Sequence, residues 1–289
     1  MSSPIIKVVK WLVTIIAIFL ALMVLSLYFG TRNPDQDPAT MERFSQAESA
    51  RHQGRTDDAI ALYHQVLEID PDHALALRER GALYEQQGKL DLAEADYSAV
   101  VQLIQKPDSA YAFRYGPCFE SLARVLILQD KPQEAIEPAM QAVNYGTEDY
   151  TDAHIQLAHA YLMSGEMTAA AGAYLEAFSN NTSREQPGND IDRFIAKGWH
   201  IDTFRRAKAW LADFAANAGP LAEAVHQVES AEIKYFKFHD GDEALRMLDQ
   251  AKGQLITLLG AEHPACVAFT TRIDKIKAEI EAAHSRNAE

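Results

Sequence analysis

The chain has 289 residues, about half of them apolar, with 27 lysines and arginines against 41 aspartates and glutamates and a formal net charge of −14. That length holds one or two domains with a sizeable core, and that charge suits neither nucleic acid, whose binding energy comes largely from basic side chains on phosphates, nor anionic lipid. Only two cysteines occur, Cys118 and Cys266, with no C-x-x-C pair, which excludes zinc ribbons, c-type haem attachment and thioredoxin-like redox motifs. Both are flanked by apolar residues and read as small core residues; a disulfide between them is left open.

Residues 1–10 form a short N-terminus carrying Lys7 and Lys10 and no acid. Residues 11–29, WLVTIIAIFLALMVLSLYF, contain no charge. At helical rise the run covers about 28 Å, enough to cross the hydrocarbon core. The lysine bias ahead of it places the N-terminus in the cytoplasm and everything after residue 30 on the far side, and Trp11 and Tyr28 suit the two membrane interfaces. The rival reading is a cleaved signal peptide, but the run exceeds the usual apolar length and no A-x-A triplet follows it. Residues 30–39, with Gly30, Pro34 and Pro38 among polar neighbours, read as a stiff spacer.

From residue 40 a pattern recurs. In the stretch from Leu77 to Leu103 a first amphipathic helix carries Leu77, Gly81 and Tyr84, Gly88 breaks it, and a second carries Leu92, Ala93, Tyr97 and Val100. The same turn falls 34 residues earlier at Gly54, followed by Ala59 and Tyr63. A third copy runs from Gly116 with Asp130 in place of the turn glycine and Ala135 and Ala139 after it. A fourth has Gly165, 35 residues beyond Asp130, then Ala170 and Tyr174. Residues 108–115, DSAYAFRY, lengthen the loop between the second and third copies. A helical hairpin of this kind buries its apolar face only against copies of itself.

These residues resemble the tetratricopeptide repeat family over residues 40–184. The resemblance rests on Leu77, Gly81 and Tyr84, on the turn glycines, and on the pairs Ala59 with Tyr63, Ala93 with Tyr97 and Ala170 with Tyr174. It implies an all-α class, here an N-terminal transmembrane helix followed by an α-helical repeat solenoid.

Residues 179–190 are a polar break. Beyond it, residues 185–289 read as a C-terminal helical-repeat region: aromatic helices over 191–217 interrupted at Gly198 and ended by Gly219-Pro220, a helix over 221–238, another begun by an Asp240/Glu243 capping box, and a final capping helix from Pro264. Leu259, Gly260, His263 and Pro264 resemble the L-G-x-x-H-P junction between hairpins of kinesin light chains.

No catalytic constellation emerges. There is no H-E-x-x-H, G-x-S-x-G, P-loop or dinucleotide fingerprint. His154 and His159 are five apart, off the spacing that puts two imidazoles on one helical face for zinc. The reading is therefore no enzyme, no cofactor, no metal and no small-molecule substrate. What remains is the groove that the family resemblance implies along the first helices. It would place Phe44, Glu48 and Arg51 from the first copy, Arg78, Ala82 and Glu85 from the second, Glu120, Arg124 and Ile127 from the third, and Ile155, His159 and Leu162 from the fourth against a protein or peptide partner. Arginines suit bidentate carboxylate recognition, so the expected partner segment has apolar anchors and an acidic group. The Lys/Asn clamp by which some members of the family hold C-terminal peptides of chaperones is absent, with Phe44 and Glu48 at the first two places. The expected role is a membrane-anchored scaffold, in the simplest case in a bacterial inner membrane with the repeats in the periplasm. The alternatives are a permanent structural subunit of a membrane complex and, with no residue set behind it, an enzyme built on the C-terminal helices.

Overall fold

The computed structural model describes residues 38–106, 116–145, 150–179 and 186–288. The expected membrane span over 11–29, most of the spacer and the inserted stretch 108–115 lie outside them. Among the described residues every regular element is a helix, and no helix is long and apolar enough to cross a membrane. The described residues divide into two compact units, those up to Gly88 and those from Lys89 onward.

In the first unit α1 (Pro38–His52), α2 (Thr56–Ile69) and α3 (Ala74–Gln86) pack in sequence. Gly54 joins the first two at φ +71°. Its N–H bonds to the carbonyl of Arg51 at 3.0 Å and the next N–H, of Arg55, to that of Ala50 at 2.9 Å. This is a Schellman closure, and it needs a residue in the left-handed region, where glycine has no steric penalty. Ala47, Ala50, Ala59 and Tyr63 fill the contact between α1 and α2. The N-cap of α3 is His73, whose Nδ1 accepts the N–H of Ala76 at 3.1 Å.

The second unit begins with α4 (Leu90–Ile104), α5 (Pro117–Leu128), α6 (Pro132–Asn144), α7 (Tyr150–Met163) and α8 (Met167–Ser179), each packed on the next. Asp130 holds the turn between α5 and α6 at φ +60° and Gly165 that between α7 and α8 at +84°. Both make the same pair of turn bonds as Gly54. The repeat alanines Ala93, Ala135 and Ala170 and the tyrosines Tyr97 and Tyr174 are buried as expected. Leu92 is not: it is 48% exposed, one position off the face set by Ala93, Tyr97 and Val100.

The repeat device continues past α8. α9 (Gln186–Ala196) and α10 (Ile201–Ala216) are joined at Gly198, φ +79°, which closes with the same two bonds 33 residues after Gly165. The interruption expected at Gly198 is thus a fifth hairpin turn. Gly219-Pro220 does not end a helix. It lies inside the first turn of α11 (Ala218–Phe238), where proline's missing N–H has no partner to lose. Asp240 caps α12 (Gly241–Leu259), accepting the N–H of Glu243 at 3.2 Å. Gly260 ends that helix, and α13 (Pro264–Ala288) starts with proline at its first position. His263 caps it through Nδ1, which accepts the N–H of Ala265 at 3.2 Å.

The final helix differs from a solvating end cap. It lies against α8 as well as α12, with Ala265, Cys266, Phe269, Ile273, Ile276 and Ile280 buried. Gly172 makes the approach close: a Cβ at that position would stand 3.0 Å from the Cβ of Ala268. Cys118 and Cys266 are both buried, and no disulfide joins them.

Candidate functional site

On α1, Phe44, Glu48 and Arg51 fall at i, i+4 and i+7, one helical face. Arg51 holds Glu48 with two bonds, Nε at 3.2 Å and Nη2 at 2.8 Å. It also reaches across to Glu79 of α3, 3.6 Å away. Arg78 donates to the same Glu79 carboxylate, from Nε at 3.0 Å and from Nη2. Two guanidiniums of the first unit thus converge on one carboxylate. Beneath them the Tyr63 hydroxyl donates to Glu48. Burial alone would raise the Glu48 pKa, but the bonds from Arg51 and Tyr63 outweigh it and hold that carboxyl below the usual range. Burial and the Glu48 contact push the Tyr63 phenol up, so it stays the donor. Phe44 is half-buried, stacked on the His73 ring at 5.1 Å and tilted against Tyr63 at 5.8 Å. Glu85 is half-buried further along α3.

In the second unit Arg124 donates to Glu120 at 2.9 Å and to the Ser121 hydroxyl at 3.3 Å, all on α5. The other expected groove residues of this unit are not on a surface. Ile155, His159 and Leu162 are 2%, 1% and 1% exposed, and Ile127 on α5 is 1% exposed. The fifth hairpin explains the helix α7 residues. α10 packs on α7 and α8, and the rings of Phe194 and Phe204 stand edge-on to His159 at 5.2 and 6.1 Å, with Tyr174 on another side at 5.7 Å. Burial pushes the His159 pKa down to about 3, so the imidazole is neutral, and neither ring nitrogen has a hydrogen-bond partner. Ile155, His159 and Leu162 are therefore core residues, withdrawn from any partner.

A constellation that sequence reasoning missed lies on α8, α11 and α13. Arg272 donates to Glu232 through Nε at 2.9 Å and Nη2 at 2.7 Å, and to Glu176 through Nη1 at 2.6 Å. Glu176 is only 12% exposed. Burial raises its pKa to about 7, with Glu229 and Glu232 adding to the rise and Arg272 opposing it. The three positions are 176, 232 and 272, so no local spacing signals them. The one sequence clue is an acidic residue, Glu176, inside the otherwise uncharged α8. Among the described residues no group of three or more histidines, cysteines and acids is placed to hold a metal ion.

The architecture is thus an all-α helical repeat. Residues 44–110 match the tetratricopeptide repeat family. Two rice relatives (Oryza sativa subsp. japonica) align over 82 residues. DnaJ protein P58IPK homolog B is 33% identical, covering 28% of this chain and 17% of its own length. DnaJ protein P58IPK homolog A is 32% identical, covering 28% and 16%. The chain therefore spans about a sixth of those relatives. Among solved structures, a tetratricopeptide repeat protein from Parabacteroides merdae is 17% identical with a TM-score of 0.46, over 86% of this chain and 90% of that one. MamA is 22% identical at 0.43, over 62% and 94%. YrrB, described as a TPR protein with an unusual peptide-binding site, is 19% identical at 0.40, over 84% and 96%.

Proposed function

We infer that this chain is a membrane-anchored interaction protein that holds a partner peptide on the first helices of its repeats. Tetratricopeptide repeats are in general protein-binding modules rather than catalysts, which supports the coarse reading. The observation behind the finer one is the α1/α3 face, where Arg51 and Arg78 meet Glu79 beside the half-buried Phe44. A guanidinium has five N–H donors in a planar fork, so an incoming carboxylate can share or displace Glu79 while an apolar side chain lies on Phe44. Arg124 on α5 offers the same chemistry in the second unit. The uncharged run 11–29 and the lysines before it support an anchor with the repeats on the far side of the membrane, in the simplest case a bacterial periplasm.

Crosslinking mass spectrometry on cells expressing the full chain tests the binding reading. Alanine at Arg78 and at Arg124 should each reduce recovery of the crosslinked partner; undiminished capture from both would remove the groove. A complex of fixed stoichiometry that survives purification would mark a permanent subunit instead. A reporter fused after residue 289 that works only in the cytoplasm would overturn the orientation.

A further inference from the structure

The second unit carries a half-open cavity of about 490 Å³. Val143 of α6 and His154 of α7 line one side, Glu229, Glu232 and Ile233 of α11 another, and Glu176 and Arg272 close it. Its size is that of a small-ligand or side-chain pocket rather than of a bare ion site. Its charge is unbalanced: three carboxylates face one guanidinium. Arg272 is committed to Glu232 and Glu176. Among the described residues the ion-pair neighbour of Glu229 is the exposed imidazole of His226, at 3.8 Å, and His154 shares the cavity lining. The raised pKa of Glu176 has the same origin, because the burial of that carboxyl is not fully offset by the one cation present.

The α11 wall continues outward. Glu229, Glu232, Ile233 and Phe236 fall at i, i+3, i+4 and i+7, one stripe of the helix. Ile233 and Phe236 are 54% and 58% exposed, so an apolar strip adjoins the carboxylates. We propose that this cavity and the Ile233–Phe236 strip dock a segment of a partner protein that presents an arginine or lysine next to an apolar residue. The basic group enters between Glu229 and Glu176, and the apolar residue covers Ile233 and Phe236. The cavity already holds one guanidinium in the same manner, bidentate on Glu232. The exposed apolar strip distinguishes a peptide from a free polyamine or metal ion, neither of which would cover it. The site is separate from the α1/α3 face and takes the opposite charge.

The test is selection of a displayed random heptapeptide library on the full chain in mild detergent. Pools are sequenced from wild type, Glu229→Gln, Ile233→Ser and Arg78→Ala. Both cavity-side variants alter exposed or half-exposed side chains, and circular dichroism checks that they fold. Peptides with arginine or lysine beside an aliphatic or aromatic residue should be enriched at least tenfold on wild type and on Arg78→Ala. That enrichment should be lost on Glu229→Gln and on Ile233→Ser. The most enriched peptide, resynthesised with citrulline for arginine, should bind at least tenfold more weakly. The proposal is overturned if no basic sequences are enriched, if the variants select the same pool, or if citrulline changes nothing. Failure of the α1/α3 reading would show instead as acidic sequences enriched equally on wild type and on Arg78→Ala, or on neither, independently of these outcomes.

Discussion

Glu176→Gln should stabilise the second unit, and only above a particular pH. The Glu176 carboxyl titrates at about 7 in the folded protein against an ordinary 4.5. A carboxyl whose folded pKa is raised contributes stability that is complete below the unfolded value and is lost as pH rises through the folded one. The window is therefore pH 4.5 to 7. A difference of about 2.5 pKa units at 1.36 kcal/mol each makes the penalty at pH 8 about 3 kcal/mol. The side chain is 12% exposed, so solvent does little to relieve it, whereas Arg272 at 38% is partly screened and repays less than burial costs. Glutamine stays neutral at every pH, and its carbonyl oxygen can still accept from Arg272 Nη1, while Glu232 keeps the guanidinium paired. The variant should match wild type near pH 4.5 and exceed it at pH 8 by up to about 3 kcal/mol, roughly 6–12 °C in Tm for a unit of this size. Urea unfolding between pH 4.5 and 8, followed by tryptophan fluorescence, reads this unit through Trp199 and Trp210. A variant less stable than wild type at pH 8, or a difference that does not change with pH, would show that attraction to Arg272 outweighs burial.

Other outcomes follow from single sites. His159→Leu removes two unpaired ring nitrogens from a fully buried position and should stabilise by about 1–3 kcal/mol; because the folded pKa is depressed to about 3, the gain should grow as pH falls below 6.5, by about 2 kcal/mol at pH 5. Gly54→Ala meets nothing within 4 Å, so its cost should be conformational alone, about 1 kcal/mol in thermal unfolding; Asp130→Gly, at the same turn position, should gain a few tenths. Gly172→Leu forces bulk against Ala268 and should cost about 1–3 kcal/mol, read as faster hydrogen exchange along α13 with α1–α3 unchanged.

What the sequence made legible was whatever repeats. Turn glycines, the small residue five positions later and the tyrosine four beyond that mark hairpins because each answers one local demand: a left-handed residue, a close helix approach, a filled gap. Asp130 satisfies the first demand without glycine, which is why the third copy reads as degenerate yet folds alike. The site was less legible. Projecting every first helix onto one groove assumes that nothing else covers it. On α7 that assumption fails: Phe194 and Phe204 of the fifth hairpin stand against His159, and Ile155 and Leu162 are buried with it. The signal was present in the aromatic density of residues 191–217, Phe194, Trp199, Phe204, Trp210 and Phe214, which requires an apolar surface to lie on. Arg51, Arg78 and Arg124 are half-exposed, but their carboxylate partners Glu79 and Glu120 lie one to four residues or a whole helix away and follow from packing rather than from pattern.

The burial of Glu176 and the loss of the α7 groove have one origin in α8. Its run of Ala170, Ala171, Gly172 and Ala173, with Ala177 a turn further on, is smoother than any other helix here and lets helices approach closely. α7, α10, α11 and α13 all pack on it. In an array that simply continued, a second helix of this kind would meet one following hairpin and keep the rest of its surface in water. Here α13 packs on α8 and brings Arg272 to the buried α8 carboxylate. Arg272 supplies one positive charge, but α11 brings two further glutamates to the same place. The second unit thus closes on itself with an excess of negative charge at the seam, beside an apolar strip still open to solvent.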